Sequence, residues 1–169
     1  TGARAFDQDL SAWDVSNSKT FETMFSGATS FTGPIFTTVG PNATTIAGMF
    51  GNASAFNGDL SSWDVSNVTT MQTAFSNTDA FNGDITGWVT SSVTDMDQMF
   101  AGSTAFNRNI SNWDTSGVTT MEGMFSNTTA FNHDLPDWCV TNIPAKPFEF
   151  DLNAAAWSAA RPDWGQCNP

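Results

Sequence analysis

The chain has 169 residues, and its 17 Asp and Glu against five Lys and Arg give a formal net charge of −12. This length fits one domain, and an apolar fraction of 40% with 13% charged residues is typical of a chain that folds around a core. The acidic balance repels phosphate backbones and anionic lipid, which excludes nucleic acid and membrane surfaces as leading partners. No stretch approaches the ~20 apolar residues of a membrane helix.

Phenylalanine recurs with one strict period in two columns that run along the whole chain. The first column is Phe6, Phe31, Phe56, Phe81, Phe106 and Phe131, and the second is Phe25, Phe50, Phe75, Phe100, Phe125 and Phe150. Tryptophan follows the same spacing, with Thr38 as the one lapse in its column. Such self-similarity indicates stacked repeats, here copies starting at 6, 31, 56, 81, 106 and 131 within residues 1–143.

The pattern within one copy changes from strand-like to helix-like. Trp63 and Val65 alternate with polar residues, which predicts a short strand. Val68, Met71 and Phe75 stand at i, i+3 and i+7, which predicts a helix, and a left-handed residue is expected where it ends. The column at that end is Gly27, Asn52, Asn77, Gly102 and Asn127. We therefore expect a right-handed α/β solenoid, a leucine-rich-repeat-like stack of about six strand-turn-helix coils in which Trp63, Trp88 and Trp113 are buried.

The two ends depart from the repeat. Pro144 and Pro147 break the sixth copy, so residues 144–169 are expected to form a C-terminal cap. Cys139 and Cys167 are predicted to form a disulfide, given an oxidising compartment. The chain opens at Thr1 in the middle of the pattern, which favours a fragment of a longer protein with another coil upstream.

The repeat unit resembles that of the BspA-like leucine-rich-repeat surface protein family, a 25-residue repeat also found in Mycoplasma surface proteins. The matching pattern is F-N-x-D-[IL]-S-x-W-D-[VT]-S-x-V-T-T-M-x-x-M-F, and it covers nearly the whole chain. Members are typically exported or surface-anchored, and some are adhesins. The resemblance therefore implies an extracellular or cell-surface binding module, and it supplies no catalytic residues. The second copy departs from the pattern at Pro34, Thr38, Gly40 and Pro41, which puts a regular strand there in doubt.

The residues give little support to catalysis or to a cofactor. The single histidine, His133, stands in a surface-loop column, so a triad or a His-based metal site is not expected. Carboxylates recur in two columns, Asp59, Asp84 and Asp134, and Asp14, Asp64 and Asp114. A glycosidase pair needs two carboxylates with different environments, so the simplest interpretation is that each Asp bonds amides of its own loop. Calcium binding by the Asp column is left open.

The leading hypothesis is a non-enzymatic recognition or adhesion module that binds a basic or neutral protein or glycan through the strand face. The candidate ligand-binding residues are Phe36, Val39, Ser62, Asp64, Val89, Asn112 and Asp114. Phe36 is either an exposed anchor or the filler for the tryptophan missing at Thr38. One alternative is a structural protein that self-associates through its N-terminal coil into arrays or fibres. A third hypothesis is ice binding through the aligned Thr columns.

Overall fold

The computed structural model describes residues 2–167, and these contain no helix. Their β-structure consists of isolated parallel bridges that join equivalent residues of successive coils, in the order Thr20, Thr45, Thr70, Asp95 and Thr120. The predicted leucine-rich-repeat-like α/β solenoid is therefore wrong, because neither its helix nor its strand forms. Residues 2–167 accordingly have no helix that could cross a bilayer. The 25-residue coils do stack, but with a different backbone.

Overlapping β-turns replace the predicted helix. In residues 71–78, every second backbone amide donates to the carbonyl three residues before it. Ala74 donates to Met71, Ser76 to Thr73 and Thr78 to Phe75. The alternate amides point along the stack and donate to the next coil, at 2.7 to 2.9 Å from the carbonyls of Asp95, Asp97, Met99 and Ala101. We call 71–78 and its equivalents 21–28, 46–53, 96–103 and 121–128 the turn chains. Half of their backbone hydrogen bonds are thus made between coils.

Left-handed backbone recurs at two places in each turn chain. Thr73 and Asn77 have φ values of 52° and 53°, and Gln98 and Asn127 repeat them in later coils. The left-handed column predicted from Gly27 to Asn127 is confirmed, but it closes a turn chain and not a helix. An L-residue at this φ in the middle of a helix is costly, so Thr73 alone excludes a helix over 68–75.

The spacing of the coils explains why a helix does not fit. Ring centroids of equivalent aromatic residues lie 5.8 Å apart for Phe75 and Phe100 and 6.4 Å apart for Trp63 and Trp88. Packed helices need a distance between their axes that is larger, about 8 Å or more. Coils spaced this closely leave room for one extended or turn-rich segment per coil, and not for one packed helix per coil.

The core is a set of aromatic columns that run along the stack. The two Phe columns meet face to face where one copy passes into the next, with centroids 4.0 Å apart for Phe75 and Phe81. The Trp column lies beside them, and the four indole nitrogens from Trp63 to Trp138 each donate to a carbonyl of the preceding coil, as Trp88 does to Leu60 at 3.0 Å. Trp63, Trp88 and Trp113 are 3 to 4% exposed, so their predicted burial is confirmed.

In the irregular second copy, Phe36 takes the place of the missing tryptophan in the Trp column. Its ring stacks on Trp63 at 5.4 Å and 8°, and its carbonyl accepts the Trp63 indole N–H at 3.1 Å. Phe36 is buried, so it fills the place of the tryptophan missing at Thr38 and is not an exposed anchor. Val39 is buried as well.

The described residues place no coil before the first one. Trp13 has no described coil before it and is 53% exposed. The carbonyls of Thr20, Glu22 and Met24 have no hydrogen-bond partner among residues 2–167, whereas the equivalent carbonyls of the next coil accept amides of the first. This edge therefore presents a row of backbone acceptors.

The hydrogen-bond register of the last coil is shifted by one residue relative to the earlier coils. The amide of Phe100 donates to the carbonyl of Met124, whereas the amide of Phe125 donates to that of Phe150, one place further along the chain than the period predicts. Phe150 thus takes the register place of Met124, and its ring meets Phe125 edge-on at 78°. The strict period expected for the second Phe column ends at Phe125.

The C-terminal segment covers the end of the core. Trp157 lies edge-on against Phe125 and Phe131, at 5.0 and 4.8 Å between ring centroids, and the Arg161 guanidinium lies over its indole at 4.3 Å. Lys146 and Arg161 both pair with the Asp151 carboxylate. The structure contains the predicted disulfide between Cys139 and Cys167.

Candidate recognition surfaces

The exposed Asp columns are built from small local turns. Asp64 and Asp114 each accept the backbone amide of the serine two residues on at 3.0 Å and its hydroxyl at 2.6 Å. These hydrogen bonds, first from the hydroxyl and then from the amide, hold the pKa of both carboxyls below the ordinary value. The prediction that Asp bonds amides of its own loop is confirmed here, and the carboxylates are fixed and charged.

The second Asp column follows the same rule at Asp59 and Asp84 but not at Asp134, which accepts the amide of Ala160 in the C-terminal segment at 2.7 Å. Asp59 and Asp84 accept the amides of Ser61 and Thr86 at 2.9 and 3.0 Å, and Asn109 does the same for Ser111. Asn109 shows that the turn needs an acceptor and not a charge. Within residues 2–167 no three His, Cys, Asp or Glu side chains are grouped as a metal site would require.

An asparagine ladder joins the loops of neighbouring coils. The side-chain carbonyl oxygens of Asn57, Asn82 and Asn107 accept the backbone amides of the equivalent asparagines one coil on, at 2.8 to 3.0 Å. The half-buried His133 bonds the Asn107 carbonyl at 3.0 Å through its Nε2. These side chains are thus engaged in holding coil to coil.

Five of the seven predicted ligand-binding residues are exposed together. Because Phe36 and Val39 are buried in the core, a surface contact for them is wrong, and the cause is the altered path of the second copy. The remaining five form what we call the Val89 face, consisting of Ser62, Asp64, Val89, Asn112 and Asp114. Val89 itself is 57% exposed.

The polar groups of the Val89 face are held by the stack. Ser62 Oγ donates to the Thr37 carbonyl, and Asn112 Nδ2 donates to the Thr86 carbonyl at 2.8 Å, both in the preceding coil. With Asp64 and Asp114 fixed by their own turns, the face is a rigid apolar patch between ordered carboxylates. It can contact a partner that has a small apolar group and donors or positive charge around it.

A second surface feature was not predicted from the sequence. A cavity of about 410 Å³ opens over the last turn chains, lined by Ser76, Asn77, Gln98, Ala101, Gly102, Glu122, Gly123, Ser126, Asn127, Phe148 and Glu149. We call it the glycine notch, because Gly102 and Gly123 are among its lining residues. Its sequence signal is the interruption of two side-chain columns by glycine, while the position of Phe148 depends on the one-residue shift and carries no periodic signal.

The aligned threonines serve the stack. The hydroxyls of Thr44, Thr69, Thr94 and Thr119 donate to carbonyls of the preceding coil, at 3.0 to 3.2 Å. Ice binding through these columns stays a prediction, for which thermal hysteresis is the assay.

One family model matches this chain over most of its length. Its description is "Mycoplasma protein of unknown function, DUF285", and it matches residues 1–63 and 44–160. No curated protein and no solved structure matches the chain. The chain therefore belongs to the DUF285 family.

Proposed function

We propose that this chain is a non-enzymatic recognition module that binds a basic or neutral protein or glycan through the Val89 face. The observation that carries the proposal is the 57% exposure of Val89. In the same column, the coil before it and the coil after it hold the fixed carboxylates of Asp64 and Asp114. An exposed apolar group framed by ordered polar groups has the composition of a small interface centre and its rim.

Rigidity supports the proposal. The four polar residues of the face already have their hydrogen bonds within the stack, so a partner meets side chains that lose little freedom on binding. The net charge of −12 favours encounter with a basic partner.

We further propose a location outside the cell or at its surface. The disulfide between Cys139 and Cys167 supports it, because disulfides persist in oxidising compartments. The resemblance to exported BspA-like surface proteins points the same way.

The test is a screen of the purified chain against arrays of matrix proteins and glycans, with and without a chelator. Any captured component is then measured against Asp64→Asn with Asp114→Asn, in which Asn keeps the turn as Asn109 does. The matched control is Glu22→Gln with Asp79→Asn, two exposed carboxylates away from this face. We expect the first pair to weaken binding and the control pair to leave it unchanged, and the opposite result would overturn the proposal.

Self-association is a second candidate, favoured by the two edges of the stack. Among residues 2–167, the carbonyls of Thr20, Glu22 and Met24 accept no hydrogen bond, and the amides of Glu149, Asp151 and Asn153 donate none. Acceptors at one end and donors at the other allow head-to-tail contact, which propagates into fibres. Light scattering that rises with protein concentration would favour this candidate over a monomeric binder.

A further inference from the structure

Glycine interrupts two side-chain columns in the neighbouring coils that line the glycine notch. Gly123 stands in the column that holds Gln98 before it and Glu149 after it, all with φ between 52° and 58°. Gly102 stands in the column that holds Asn77 and Asn127. Beside Gly102 the Asn77 side chain takes up the space of the missing Cβ, and a Cβ at Gly123 would lie 3.2 Å from Gln98 Cγ. The 410 Å³ cavity opens over these two glycines and their neighbours.

The one-residue shift of the last coil places an aromatic ring on the wall of the notch. The Gly123 amide donates to the Phe148 carbonyl at 2.9 Å, as the Gln98 amide does to the Glu122 carbonyl one coil earlier. Phe148 therefore follows Glu122 in an outward-facing column and is 71% exposed. An exposed ring of this size offers a face to a ligand in the notch.

The carboxylates of the notch are not neutralised. Glu122 and Glu149 both line it and are exposed. Both ion pairs found among residues 2–167 use Asp151, and one of them engages Lys146, the closest cation to the notch along the chain. The notch thus combines two unpaired carboxylates, an exposed aromatic ring and the amide side chains of Asn77 and Asn127.

We propose that the glycine notch binds a lysine side chain from a basic segment of a protein partner. The ammonium group meets the carboxylates of Glu122 and Glu149 and the face of the Phe148 ring, which attracts cations through its quadrupole. The aliphatic stem lies along Ala101 and the Phe148 ring, as lysine stems do on apolar surface. This site shares no residue with the Val89 face and goes beyond the function proposed for that face.

The test is an NMR titration of the intact chain with the peptide acetyl-Lys-Lys-Lys-amide. The readouts are the backbone amide signals of Gly102 and Gly123, with those of Gly48 and Gly58 as references outside the notch and outside the Val89 face. We expect saturable shifts of the notch glycines with the lysine peptide and none with its Nζ-acetylated counterpart, which keeps the stem and lacks the charge. Equal shifts with both peptides, or shifts spread evenly over the four glycines, would overturn the proposal.

Matched variants separate a local site from attraction to an acidic protein. Glu122→Gln and Glu22→Gln remove the same charge from the same column at opposite ends of the stack. We expect Glu122→Gln to weaken peptide binding by about twofold to fivefold and Glu22→Gln to leave the notch shifts unchanged. Equal weakening of peptide binding by both variants would indicate general electrostatic attraction and would overturn the proposed site.

A third variant fills the notch. Gly123→Gln places there the residue that Gln98 already carries at the same backbone conformation, and the nearest atom to its Cβ is the flexible Gln98 Cγ at 3.2 Å. We expect it to abolish the notch shifts, and unchanged peptide binding would contradict the site. If this variant does not fold, Phe148→Ala removes an exposed ring instead and is expected to weaken binding by about twofold to fivefold, with no change again counting against the proposal.

Discussion

Single aromatic side chains illustrate how position in the stack determines their contribution to stability. Trp88 and Trp13 belong to the same column of the repeat. Trp88 lies between the rings of Trp63 and Trp113, at 6.4 and 6.2 Å, and its indole N–H donates to Leu60. Trp13 is 53% exposed in a coil with no described coil before it. The repeat makes the two equivalent in sequence, and the stack makes them unequal in burial.

Truncation should therefore affect the two tryptophans differently. We expect Trp88→Ala to lower the free energy of unfolding by about 3 to 5 kcal/mol, because it opens a cavity in the aromatic core. Trp13→Ala should cost less than about 1 kcal/mol, as substitutions at exposed positions do. Urea unfolding followed by circular dichroism measures both, and equal losses would contradict the burial of the Trp column.

The loop turns and the turn chains show what the sequence could predict at the scale of elements. The turn role of Asp64 and Asp114 and the left-handed backbone from Gly27 to Asn127 followed from local chemistry, since side-chain acceptors and Gly or Asn act within a few residues. Local chemistry did not, however, give the right backbone for 68–75, where a helix was predicted and a chain of turns is found. The spacing of Val68, Met71 and Phe75 indicates which side chains face the core, and a chain of turns satisfies it as well as a helix does, because its remaining amides bond the next coil.

The candidate surfaces were predictable to the same extent. Asp64, Asn112 and Asp114 lie in regular coils, where the period places them outward, and they are exposed. Phe36 and Val39 lie in the irregular second copy, and Phe148 lies where the register shifts by one residue. In both places the chain path depends on contacts between coils, which a 25-residue pattern does not encode.

The turn carboxylates predict acid sensitivity. Asp64 and Asp114 have lowered pKa values because they accept hydrogen bonds. At Asp151 burial raises the pKa, but the hydrogen bonds and charges of Lys146 and Arg161 together bring it below the ordinary value. A lowered pKa stabilises the fold above the unfolded value of about 3.9, and this stabilisation is lost as pH falls through the folded value.

We accordingly expect the melting temperature to hold between about pH 7 and pH 5 and to fall below about pH 4. Calorimetry across this range measures the change, and unfolding near pH 3 should take up protons. Asp151→Asn serves as the comparison, because it should lower the melting temperature at pH 7 and weaken its dependence on acid. A melting temperature that does not change down to about pH 2.5 would contradict the assigned hydrogen bonds.

At the scale of the whole molecule, the stack explains how residues 2–167, which form no helix and no long strand, present fixed surfaces. Backbone bonds between turn chains, asparagine ladders and aromatic columns all run along the same axis, so each coil is held by its neighbours. The Val89 face and the glycine notch are two places where the regular pattern of outward side chains is interrupted, by an apolar residue in one case and by glycines in the other. Both proposals depend on the helix-free coil.

The most direct test of this coil is a nuclear Overhauser experiment on the isotope-labelled chain over residues 68–78 and 93–103. The structure predicts contacts between the amide of Phe75 and residues around Met99, and between the amide of Thr73 and residues around Asp97, because these amides donate to the carbonyls of Met99 and Asp97 at 2.9 Å. An unbroken run of helical contacts between residues i and i+4 over 68–76, with none between these coils, would contradict the account.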